Sequence, residues 1–215
     1  MRNAGCILGQ GMLSLSKDTY FCAKRPRPAP PGGGLQCVND GRKVLSMGFF
    51  DKLFGGKSAD TKFSGEKMTV KAPIDGTILP LEQLPDETFA TAILGPGCGI
   101  EPTGDTVYAP FDGTITQVAS TLHAIGITSD DGIELLIHVG MDTVEMQGKG
   151  FTALVKEEQK VKAGTALLKV DLDAIRAANH PTTTAVIVTN ADDLPALQVV
   201  AGGIVTAGTP LFKFE

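Results

Sequence analysis

Asp131-Gly132-Ile133-Glu134-Leu135-Leu136-Ile137-His138-Val139-Gly140-Met141-Asp142-Thr143-Val144 follows directly on Thr121-Leu122-His123-Ala124-Ile125-Gly126-Ile127-Thr128 and a cluster of turn formers, Ser129-Asp130-Asp131-Gly132. Both runs are apolar and rich in β-branched residues, so the pattern predicts a β-hairpin. With the turn at 129–132, Thr128 faces Ile133 and paired residue numbers add up to 261. His123 and His138 satisfy the same relation, which would make the two imidazoles cross-strand neighbours with Cβ atoms roughly 5 Å apart. A register slip of two keeps them on one face; an odd slip separates them. The chain has three histidines, and two of them are in this hairpin.

Working outward, the flanking sequence repeats itself. Ala72-Pro73-Ile74-Asp75-Gly76-Thr77-Ile78 returns as Ala109-Pro110-Phe111-Asp112-Gly113-Thr114-Ile115. Val161-Lys162-Ala163-Gly164-Thr165-Ala166-Leu167-Leu168-Lys169 returns as Val205-Thr206-Ala207-Gly208-Thr209-Pro210-Leu211-Phe212-Lys213. Each Asp-Gly or Ala-Gly marks a tight turn between strands. Two copies of each imply pseudo-symmetric packing of two short-stranded sheets, with the repeats serving architecture rather than chemistry. The fold class read here is all-β, a compact antiparallel sandwich or barrel-like hybrid with internal duplication. Residues 84–90 and 172–178 are the candidates for single helical turns, the second opened by Asp171-Leu172-Asp173.

The composition fits this class: 42% apolar, 20% charged, no Trp, 26 Gly and 13 Pro in 215 residues. Residues 1–46 hold seven Lys/Arg and two Asp, so residues 47–215 hold 12 basic and 22 acidic side chains, a net of −10. An acidic body argues against nucleic acid as a partner and suits a basic protein. Cys98 is the one cysteine beyond residue 46, so no disulfide framework can form there and a reducing cytoplasm is the expected setting.

Residues 1–46, with Arg25-Pro26-Arg27-Pro28-Ala29-Pro30-Pro31-Gly32-Gly33-Gly34, show no periodicity and no signal-peptide core, and are read as a non-native or disordered extension. Met47-Gly48-Phe49-Phe50-Asp51-Lys52-Leu53-Phe54 resembles a fresh N-terminus. Its apolar residues fall on one helical face, giving at most weak membrane-surface contact through 47–54. Residues 56–66 read as a polar linker, and 67–215 as the domain.

A histidine pair among aliphatic residues has three chemical uses. Two imidazoles suit zinc, but a stable site needs three or four ligands, and only Asp142 stands near in sequence. Hydrolysis would need an activated nucleophile; there is no Gly-x-Ser-x-Gly, and Cys98 has no base near it in sequence. Phosphoryl transfer through a phosphohistidine uses a neutral imidazole as nucleophile and a second one to steady the phosphoryl oxygens. Without a nucleotide-binding loop, the phosphate would come from another protein.

The stretch from Gly132 to Val144, with His138, Gly140, Asp142 and Thr143, resembles the phosphorylation-site motif of the glucose-type IIA components of the bacterial phosphoenolpyruvate-dependent sugar phosphotransferase system. The resemblance extends over residues 68–214 through Ala72-Pro73, Gly76, Pro102-Thr103-Gly104, Ala109-Pro110, Asp112-Gly113, Thr121 and His123. It implies an antiparallel β-sandwich in which Nε2 of His138 accepts phosphate from the phosphocarrier HPr and passes it to a cysteine of a IIB domain of a membrane sugar permease. It further implies His123 as the supporting imidazole, Thr121 bonded near it, Gly140 orienting His138 through its backbone, and Asp142 flanking the site. The implied partner-binding rim is Phe89, Ile93, Leu94, Leu136 and Val139. Positions 119, 125, 136 and 139, often aromatic in relatives, are Ala, Ile, Leu and Val here. No cofactor is required on this reading; zinc enters only where a partner carboxylate joins His123 and His138, and further regulated enzymes or transporters are expected as partners. The competing reading is a zinc-binding or purely regulatory β-sandwich without phosphotransfer. A biotinyl- or lipoyl-type module would need a turn lysine flanked by Met or Asp, which is lacking.

Overall fold

The computed structural model describes residue 63 and residues 66–215; the readings made for 1–46 and 47–54 lie outside the described residues. In chain order the strands are β1 (Thr69–Lys71), β2 (Gly76–Leu79), β3 (Gly97–Pro102), β4 (Thr106–Tyr108), β5 (Gly113–Val118), β6 (Ala124–Ser129) and β7 (Glu134–Val139), then β8 (Phe151–Ala153), β9 (Lys160–Val161), β10 (Ala166–Val170), β11 (Thr184–Val188), β12 (Leu197–Val199), β13 (Ile204–Val205) and β14 (Pro210–Phe214). All pairings are antiparallel. One sheet of eight strands runs β13-β2-β3-β11-β7-β6-β5-β9, and two sheets of three run β1-β14-β12 and β4-β10-β8.

The duplication expected from sequence is carried through to individual hydrogen bonds. The two small sheets are its two copies: β14 repeats β10, and β1 repeats β4. In the first copy Asp75 Oδ1 accepts from Ala207 N at 2.7 Å; in the second Asp112 Oδ1 accepts from Ala163 N at 2.8 Å. Gly208 N donates to Ala72 O at 2.9 Å, and Gly164 N to Ala109 O at 2.8 Å. Gly164 and Gly208 have φ of +83° and +93°, where a side chain would be strained. The two-residue strands β9 and β13 close the opposite ends of the large sheet, leaving little unpaired edge.

Alternation along the large sheet builds two apolar layers. Ile125, Ile127, Leu135, Ile137, Val139, Val186 and Val188 face the main core, while Ala124, Leu136, Ala185 and Ile187 face a second, smaller cluster. Leu81, Leu84 and Phe89 cover this second face. They come from a 3-10 turn, Leu81–Gln83, and a one-turn helix α1 (Glu87–Ala90), started by Asp86, whose carboxylate accepts from Thr88 N. Helix α2 (Leu172–Ala177) is capped by Asp171 and ended by Asn179 at φ +62° in a Schellman arrangement, with His180 N bonded to Ile175 O. The helical turns at 84–90 and 172–178 are thus present. The 3-10 turns Thr143–Met146 and Ala191–Asp193 had no expectation attached.

The hairpin exists, but its register differs by one from that expected. The pairs are Ala124↔His138, Ile125↔Ile137 and Thr128↔Glu134, and Ser129 N donates to Ile133 O at 2.8 Å. The turn holds three residues, 130–132, rather than four, and Gly132 takes φ +90°. A three-residue turn ended by a left-handed glycine is a favoured hairpin connection. Shortening the loop by one residue moves His123 opposite Val139, whose N–H donates to the His123 carbonyl at 2.8 Å.

Candidate functional site

By pleat alone, His123 would now point with Val139 into the main core, away from His138. It does not, because His123 precedes β6 and lies in a bend. Leu122 N bonds to Ala119 O and Ala119 N to Ala124 O, and Leu122 itself takes φ +58°, a rare conformation for a bulky residue. The bend turns the His123 side chain back over the sheet. Its ring centroid is 4.7 Å from that of His138, edge-on at 79°. The expected juxtaposition therefore arises by a different route from the one expected.

Each imidazole has its own support. Thr121 Oγ1 and His123 Nδ1 are hydrogen-bonded at 2.7 Å. Phe89 packs on His138 with centroids 5.0 Å apart. His138 Nδ1 is buried without a hydrogen-bond partner, a status it shares among the described residues with Thr184 Oγ1, on the neighbouring strand. His138 as a whole is partly exposed, so Nε2 is the ring nitrogen that reaches the surface. Burial pushes the His138 pKa down to about 4, and the adjacent His123 acts in the same direction. The Gly140 backbone and the Asp86 carboxylate oppose this, though Gly140 stops short of hydrogen-bond geometry. Burial also lowers the His123 pKa. Both rings are therefore neutral near pH 7.

Gly140 has φ +74°, and a Cβ there would run into the Thr143 side chain and the Pro181 carbonyl. This packs the segment after β7 tightly beneath His138, with Thr143 Oγ1 donating to Val139 O at 2.7 Å. Asp142 is exposed in a left-handed conformation at the start of the 3-10 turn Thr143–Met146, and its side chain makes no cap bond.

The five rim residues separate into three groups. Ile93 is 75% exposed and Leu94 37%, so both can meet a partner. Phe89 and Leu136 lie buried under the histidines in the second cluster; they shape the site from beneath. Val139 is fully buried in the main core and offers no docking surface: it lies on the opposite face of β7 from His138. Ile125, also fully in the main core, is excluded for the same reason. Asp86 was not anticipated as a neighbour of His138. Its helix-start signal is readable, but its proximity across 52 residues is not.

Two clefts, one along residues 66–71 and 110–112 and one along 66–69 and 213–215, involve neither histidine. Among the described residues no three His, Cys, Asp or Glu side chains come together as a metal site, and no helix is long and apolar enough to cross a membrane.

Comparison with known proteins matches residues 68–194 to the family model of the phosphoenolpyruvate-dependent sugar phosphotransferase system, EIIA 1. The chain belongs to this EIIA family. It is 43% identical over 161 residues to the glucose-specific EIIA component of Halalkalibacterium halodurans, covering 74% of this chain and 93% of that one. It is 42% identical over 181 residues to the glucose-specific EIICBA component of Streptococcus pneumoniae, spanning 84% of this chain but 25% of that larger protein. The glucose permease IIA from Mycoplasma capricolum has a matching structure, with a TM-score of 0.61 and 34% identity over 67% of this chain and 93% of that one. The all-β antiparallel fold is that of the EIIA family, and this EIIA chain is a phosphotransferase component, a phosphocarrier in sugar transport.

Proposed function

We propose that His138 Nε2 accepts the phosphoryl group from phospho-HPr and gives it to a cysteine of a IIB domain, in the cytoplasm. The observation carrying this is the imidazole pair with ring centroids 4.7 Å apart and Nδ1 of His138 buried. With its proton on Nδ1, toward the Gly140 backbone, the lone pair of Nε2 points outward. The phosphorus–donor bond breaks as the P–Nε2 bond forms; in onward transfer the P–Nε2 bond breaks as a P–S bond forms. Because the donor is itself a protein, the site needs no nucleotide loop. His123 steadies the phosphoryl oxygens as a hydrogen-bond donor from Nε2, which requires its Nδ1 to accept from the Thr121 hydroxyl. Phe89 and Leu136 keep water from beneath the ring, and Ile93 and Leu94 meet the partners. Asp142, exposed within the motif, flanks the docking surface.

No cofactor is needed for these steps. Two imidazoles supply only two zinc donors, so a zinc ion here would require a partner carboxylate. Regulation of other enzymes or transporters would use the same surface.

The test is label transfer from phosphoenolpyruvate in the presence of the general phosphotransferase proteins. Acid-labile phosphate should appear on the wild type and be lost in His138→Ala; labelling that persists sinks the assignment. His123→Gln should load phosphate but pass it on poorly, and normal onward transfer would remove the supporting role.

A further inference from the structure

We propose that the two duplicated glycine turns together form a socket for one aromatic ring, and that its occupant is Phe63 of the same chain. Phe63 lies in the stretch that reads as polar linker, yet it is half-buried against the domain. A Cβ placed on Gly164 would come within 2.6 Å of the Phe63 ring, and one on Gly208 within 3.3 Å. These two glycines hold equivalent places in the two copies, each donating its N–H to the alanine that opens the repeat. The ring therefore bridges the copies, touching one turn from each.

Three features make this a built site. Both glycines hold positive φ, so the turns present bare backbone, and any side chain would occupy the space the ring fills. Tyr108 lies beside the ring, tilted at 44° with centroids 6.3 Å apart, a favourable aromatic separation. Lys71 Nζ sits 5.9 Å from the ring centroid, and Lys71 is only 3% exposed; a buried ammonium over a ring face favours an aromatic occupant over an aliphatic one of similar size. The symmetry supplies two turns but room for a single ring, so the socket takes one ligand. Tethering that ligand on the same chain gives it a high effective concentration. None of these residues belongs to the histidine site.

The chain contains no Trp, so Phe63→Trp in the full-length protein is a selective reporter. Its emission should be blue-shifted and protected from acrylamide, and Gly208→Val should shift it to that of a free indole while far-UV circular dichroism stays native. Free-indole emission from Phe63→Trp alone would overturn the proposal. Where Gly208→Val does not fold, trypsin decides: cleavage after Lys62 should be slower in the wild type than in Phe63→Ser, and equal rates would overturn the proposal.

Discussion

At the scale of single residues, His138 couples the chemistry to stability. Its pKa falls from 6.5 to about 4 on folding, so between these values the unfolded chain binds a proton that the folded one does not. Stability contributed by the neutral ring is therefore complete above pH 6.5 and is lost as pH falls toward 4. The loss amounts to at most about 3 kcal/mol. Urea unfolding at pH 7 and pH 4.5 should show this difference, and His138→Gln should reduce it; an unchanged pH slope would mean the ring is not buried as described. The second residue-scale prediction concerns Thr121, the partner of His123 Nδ1 at 2.7 Å. Thr121→Val removes a hydrogen bond worth about 1 kcal/mol, so onward phosphoryl transfer should slow roughly five-fold with little change in melting temperature. These residues show what was legible in advance. The identities of the two histidines and Thr121 were readable from a motif. Their approach was not derivable from strand pairing, because one turn residue fewer and a left-handed Leu122 each reverse a face, and the two reversals cancel.

At the scale of elements, the short segment between β2 and β3 decides how dry the site is. Phe89 from α1 packs on both His138 and the second cluster. Phe89→Ala should cost roughly 3–5 kcal/mol and raise the His138 pKa toward its ordinary value, since burial is the main cause of its depression; NMR titration of the ring measures this. The turns of the duplication make a paired prediction. Asp75→Ala and Asp112→Ala each remove a carboxylate that accepts from the backbone of a distant turn, and each should cost about 2 kcal/mol. Asp112 additionally holds Lys162 at 2.7 Å, but that pair is surface-exposed and adds little. Chemical denaturation of the two variants should give similar losses; a large inequality would mean the copies are not energetically equivalent. Such turns were legible because Asp-Gly and Ala-Gly repeat in sequence. The pairing of each Asp with its particular Ala, 132 and 51 residues away, was not, since repeats declare likeness without declaring contact.

For the whole molecule, charge sets how partners arrive. With a net of −10 over residues 47–215, association with a basic donor protein should weaken with salt. The KM for the phosphorylated donor should rise between 0.05 and 0.5 M NaCl (about 14 to about 4 Å in Debye length) while the maximal rate changes little; a KM independent of salt would point to apolar docking alone. The fold class was legible at this scale because strand-sized apolar runs, turn signals and repeats all agree. The burial of Val139 and Ile125 was not, because a motif records which residues recur and not which way each faces. The repeats are nested. The first Asp-Gly turn closes on the last Ala-Gly turn, the second on the one between, and β1 pairs along β14 with Thr69 opposite Lys213. The first and last strands of the described domain thus lie side by side, with Phe214 N bonded to Met68 O. A circular permutant, with residues 66 and 215 joined by a short glycine linker and new ends opened between the exposed Lys156 and Glu157, should therefore fold and retain its phosphoryl acceptor.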